Sequence, residues 1–130
     1  MVELEIFAKL LLALVIGLII GLEREKAHKP AGLRTITLIC FGSALITSTA
    51  LNYFDPDSAA RIIANVIVGI GFIGAGTILV VRNQVIGLTT AAAIWVSAIL
   101  GIVTGLGLYL IAIFSTILII FVLFVLRKLI

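Results

Sequence analysis

An all-α integral membrane protein is the fold class the sequence predicts: a bundle of five transmembrane helices, N-terminus out and C-terminus cytoplasmic. Three observations point to it. Hydrophobic residues make up 63% of the chain and charged residues 12%, about half the charged share of a soluble domain. A soluble chain of this size buries about 70% of its unfolded surface and covers the rest with polar groups, which are missing here. The charges sit at the ends of long apolar runs, and these runs lack the polar alternation of a barrel strand. Residues 1–130 read as a single transmembrane domain, with no soluble C-terminal domain in this chain.

Crossing a hydrocarbon core takes about 20 helical residues. The first span is placed at 6–22. It is a retained helix, because the N-terminus MVELE lacks the basic start of a signal peptide and the run leads into Glu23 and Arg24. Lys9 is close enough to the end to snorkel and to pair with Glu5 at helical spacing. The second and third spans are placed at 35–54 and 62–81. The next apolar run, 83–126, would form a single helix of about 66 Å, so it must turn back once. Thr104-Gly105-Leu106-Gly107 is the predicted turn, giving helices at 88–104 and 107–126.

Orientation follows from the Lys and Arg residues. Arg24, Lys26, Lys29, Arg34, Arg82, Arg127 and Lys128 fall on one side of this topology, against Lys9 and Arg61 on the other. The first side is therefore cytoplasmic. The net charge of +3 does not signal nucleic acid, since the basic residues form no continuous face. Cys40, the lone cysteine, reads as a packing residue.

The stretch GLEREKAHKPAGLRT, residues 21–35, concentrates charge between two apolar runs. One reading is a loop that only fixes topology. The other is a network at the cytoplasmic mouth in which Glu23 or Glu25 pairs with Arg24, Arg34 or Arg82. Lys29-Pro30 disfavours helix and Gly32 permits a turn, so the loop is expected to fold back and bring Arg34 beside Glu23. His28 is a solvated loop residue.

Residues 69–74, GIGFIG, match a dinucleotide-binding pattern, but an apolar span encloses them and no acidic residue follows about 20 positions later. They read instead as helix packing through small residues. Asn65, Gly69, Phe72 and Gly76 share one stripe of the third helix, and Gly71, Ala75 and Ile78 another about 120° away; Gly74 belongs to the same packing set. A helix with two flat faces is expected to be central, or to meet a second protomer. Gly87 and Trp95 join this packing or partner-binding set, with Trp95 as a mid-span anchor. Asn65, Thr89 and Thr90, with Ser43, Thr47 and Asn52, supply interhelical hydrogen bonds or ligands for a transported solute. The later spans contain no acid, a poor basis for an ion-coupled carrier. No nucleophile–base set exists, so no catalytic residue, metal ligand or cofactor is assigned.

Three segments, GLEREKAHKPAGLRT, GIGFIGAGTIL and VIGLTTAAAIWVSAILGIVTGLG, occur in order across about residues 10–126. The sequence resembles the N-terminal membrane domain of the MgtC/SapB family. The resemblance implies a bacterial inner-membrane protein needed under magnesium limitation and for survival inside macrophages. It also implies a regulator acting on another membrane complex, such as the proton-translocating ATP synthase; the glycine-rich helical faces are read, in addition, as the contacts of a homo-oligomer, a dimer, at rest in the membrane lipid. The alternative is a Mg²⁺ transporter or channel. The chain departs from the virulence members at Thr89, where they carry Asn, and at Val96, where they carry Cys.

Overall fold

A computed structural model describes all residues, 1–130. Five helices are long and apolar enough to cross a membrane: α1 (Val2–Lys26), α2 (Leu33–Tyr53), α3 (Pro56–Ala75), α4 (Leu88–Gly105) and α5 (Tyr109–Leu129). The last of these widens into a π-helix over Phe121–Leu126. Between α3 and α4, β1 (Leu79–Val81) and β2 (Gln84–Ile86) form an antiparallel hairpin, with Leu79 opposite Ile86 and Val81 opposite Gln84.

Two spans depart most from the sequence expectation, each for a local reason. α1 runs on past residue 22 to Lys26, so Glu23, Arg24 and Glu25 belong to its final turns and not to a loop. Arg24 and Lys26 suit that position, because cations favour the negative end of the helix dipole. α3 occupies 56–75 instead of 62–81. Its start is fixed by Pro56, which needs no amide partner in the first turn, and by Asp55. The Asp55 carboxylate accepts the Ser58 amide at 3.0 Å and the Ser58 hydroxyl at 2.7 Å. Its early end reflects β-branched Val80, Val81, Val85 and Ile86, and a turn in which Arg82 and Asn83 have φ of 52° and 62°. Positive φ at both central residues is what a tight hairpin turn requires.

The Ser58 amide, and after it the Ser58 hydroxyl, hold the Asp55 carboxyl below the usual carboxylate range. The folded value is the lower one. The resulting stabilisation is therefore present above the unfolded value of about 3.9 and fades as pH falls through the folded value. Asp55→Ala is expected to lower the melting temperature at neutral pH, with the gap to the parent narrowing once the pH is brought below the unfolded value of about 3.9. Thermal melts in detergent at the two pH values check this.

At the centre of the bundle, α2 packs against α1, α3 and α4, while α4 touches all four other helices. α3 is peripheral, contrary to the expectation of a central helix. Lipid gives no hydrophobic drive between helices, so association rests on close backbone approach through small residues. Those residues lie on α1 and α4. On α1, Ala13, Gly17 and Gly21 recur every four residues, and a Cβ added at Gly17 would lie 2.8 Å from the Thr37 Cα. On α4, Ser97, Gly101 and Gly105 repeat the spacing, and a Cβ at Gly105 would lie 2.8 Å from the Thr47 Cβ. Ile16, Ile20, Ile36, Ile94, Leu100 and the expected Cys40 complete the core.

The intramembrane polar residues mostly bond along their own helices. Ser48, Ser97, Thr104 and Thr116 donate to the carbonyl four residues back at 2.6–2.7 Å, and Asn52 does the same to Ser48. A hydroxyl satisfied this way needs no neighbouring helix. Of the residues expected to bond between helices, Asn52 bonds along its own helix, whereas Thr90 on α4 accepts from Arg24 on α1.

Candidate functional site

The topology brings the C-terminal turns of α1, the hairpin, the first turn of α4 and the end of α5 to one end of the bundle. Arg24 lies there, 1% exposed. Its Nη2 donates to the Thr90 hydroxyl at 2.5 Å and to the Pro30 carbonyl at 2.7 Å, while its Nε has no partner. Both acceptors are neutral. The ion pair in the structure joins Arg127 to Glu23 Oε1 and leaves Glu23 Oε2 buried without a hydrogen bond.

This network corrects the expected one. Glu23 pairs with Arg127, not with Arg34 or Arg82: Arg34 is exposed at the start of α2, and Arg82 sits in the hairpin turn. The fold-back after α1 is present, with His28 and Ala31 at φ of 57° and 55°. Glu25 has a different task. Its Oε1 accepts the Leu33 amide at 3.0 Å and so caps α2. A Cβ at Gly32 would strike that carboxylate.

A cavity of about 890 Å³ opens between the α1–α2 connection, the hairpin, the start of α4 and the end of α5. Its charged lining residues are Arg24, Lys29 and Arg127, and no acidic side chain lines it. Thr89 and Thr90 form part of the wall, with Leu79, Val85, Val122 and Leu126 among the apolar remainder. Gly87 starts α4 at φ 90°, with no side chain capping that helix. A Cβ there would collide with the Thr77 carbonyl.

Asn65 is elsewhere. It lines a shallow groove of about 530 Å³ with Tyr53, Asp55 and Arg61 at the far end of α3. Asn65, Thr89 and Thr90 thus form no common cavity. On α3 both proposed stripes face outward. Asn65, Gly69, Gly71, Phe72, Ala75 and Gly76 are exposed, and a Cβ at Gly69 or Gly71 would have nothing within 4 Å. The contact with α4 runs instead through Gly74, whose added Cβ would lie 3.3 Å from the Ala91 carbonyl. Trp95 is 46% exposed on α4 and anchors no core. Arg127 is the site residue that sequence reasoning missed. The signal for it was topological, since the charge bias already put it on the same side as Glu23.

The MgtC family sequence profile matches residues 10–130. SapB of Bacillus subtilis is 46% identical over 114 residues, covering 81% of this chain and 49% of that protein. MgtC of Salmonella typhimurium LT2 is 43% identical over 110 residues, covering 85% and 47%. YhiD of Escherichia coli K12, named as a candidate magnesium transporter, is 42% identical over 136 residues, covering 96% and 62%. The chain spans between about half and two thirds of the length of these relatives. No solved structure matches it.

Proposed function

We propose, from the premise that this chain belongs to the MgtC family, that it is a non-enzymatic regulator of the bacterial inner membrane that acts by binding another membrane protein through the outer face of α3. Its setting is adaptation to low magnesium and, in pathogens, survival inside macrophages. Its partner is a membrane complex such as the proton-translocating ATP synthase, and its resting state a homodimer.

The observation that supports the reading is the outward placement of Asn65, Gly69 and Gly71. An amide facing hydrocarbon is costly unless something covers it, and bare glycine backbone lets a partner helix come close.

Gly69→Leu with Gly71→Leu is expected to cut partner co-purification from native membranes by tenfold or more. Stability should stay within about 0.5 kcal/mol of the parent, since nothing in the protomer meets either position. A purified protein with no specific partner, and with no effect on ATP-driven proton pumping, would count against the reading. The name of YhiD favours a second reading, a magnesium carrier. Magnesium uptake by vesicles containing only this protein would replace the first reading with the second.

A further inference from the structure

Arg24 is 1% exposed, and its two hydrogen bonds go to a hydroxyl and a carbonyl. Glu23, the adjacent carboxylate, is hydrogen-bonded to Arg127 and not to Arg24, and a buried guanidinium with no carboxylate hydrogen bond of its own is costly. Lys29 adds a second cation without an ion-pair partner to the same cavity wall, Arg127 being neutralised by Glu23, and no acidic side chain lines it. The first amides of α4 have no intrahelical acceptors and no capping side chain, and the residues that carry them, Leu88, Thr89 and Thr90, line that wall. Arg24 Nε, buried and unpartnered, is one further donor without an acceptor. These features call for an anion with several acceptor oxygens, and a phosphate group provides them.

The rest of the wall decides what carries the phosphate. Leu79 and Val85 of the hairpin face the cavity together with Val122 and Leu126 of α5. A soluble anion gains nothing from that surface, whereas an acyl chain does. We infer that the cavity binds an anionic phospholipid, with its phosphate held by Arg24, Lys29 and the start of α4, and its chain laid between the hairpin and α5. This site is independent of the α3 face and its partner.

The test is lipid binding to the purified full chain, read by native mass spectrometry and by thermal stabilisation. The probes are phosphatidylglycerol, zwitterionic phosphatidylethanolamine and inorganic phosphate. Phosphatidylglycerol is expected to bind one per chain, in preference to phosphatidylethanolamine. Lys29→Gln, an exposed substitution that spares the fold, should weaken it about fivefold. Arg24→Gln should weaken it more, and Arg61→Gln at the opposite end should leave it unchanged. Equal retention of the two lipids, or equal effects of Lys29→Gln and Arg61→Gln, would overturn the site. Stabilisation by inorganic phosphate that matches the lipid and is lost in Lys29→Gln would uphold the phosphate chemistry and overturn the lipid as its source.

Discussion

Gly101→Val is expected to destabilise the bundle by about 3 kcal/mol or more, at the top of the range for overpacking. An added Cβ there would run into the Cys40 carbonyl oxygen and lie 2.7 Å from the Ser43 Cβ and 3.1 Å from the Cys40 carbonyl carbon. Most of what it meets is backbone, which cannot rotate away as a side chain can. α2 cannot step back either, because Gly17 of α1 holds its other side at similarly close range. The helices must therefore separate. α4 carries Thr90, the buried hydroxyl that accepts from Arg24, so the same substitution should loosen the charged end. Gly42→Val is the control, since nothing lies within 4 Å of a Cβ at that position. Equilibrium unfolding in mixed micelles compares the two. Similar losses for both would mean that the α2–α4 approach does not carry the stability assigned to it.

The spans were legible because lipid imposes one rule on all of them: an apolar run of the right length. That rule is blind within a run. Val80 and Val81 are as apolar as any helical neighbour, so β1 was hidden at the end of the third span and β2 at the start of the next apolar run. Gly69, Gly71 and Gly74 drew attention through density, yet of these only Gly74 meets a neighbouring helix, and the closest approaches within the protomer are made by Gly17 and Gly21 on α1 and Gly101 and Gly105 on α4. These are spaced by four and diluted among Leu and Ile, where the pattern is quieter. Arg24 and Glu23 were recognised as network members from their position beside an apolar span. Their partners were not, because Thr90 is 66 residues from Arg24 and Arg127 is 104 from Glu23. Charge bias tells which side of a membrane a residue occupies, and packing alone tells which helix end is adjacent.

Glu23→Gln is the second large effect expected, about 2 kcal/mol, and a double-mutant cycle with Arg127→Gln should give a coupling of about 1 kcal/mol. The size follows from burial. The Glu23 side chain is 9% exposed and that of Arg127 33%, so the pair lies between a screened surface bridge, worth about 0–1 kcal/mol, and a buried one, whose disruption costs about 3–5 kcal/mol. Its position magnifies the consequence. α5 is 11% buried, the least of the five helices, and its π-helical turns precede Arg127 directly. Few apolar contacts hold that end, which leaves the ion pair to tie α5 to α1. Hydrogen exchange over residues 121–130 should therefore rise in Glu23→Gln by more than the global loss of stability accounts for. It should rise no further when Arg127→Gln is added, because the tie is already cut. Additive losses within about 0.3 kcal/mol, with uniform exchange, would show that the pair is an ornament of the charged end and that α5 is held by Ala112, Thr116 and Leu123 alone.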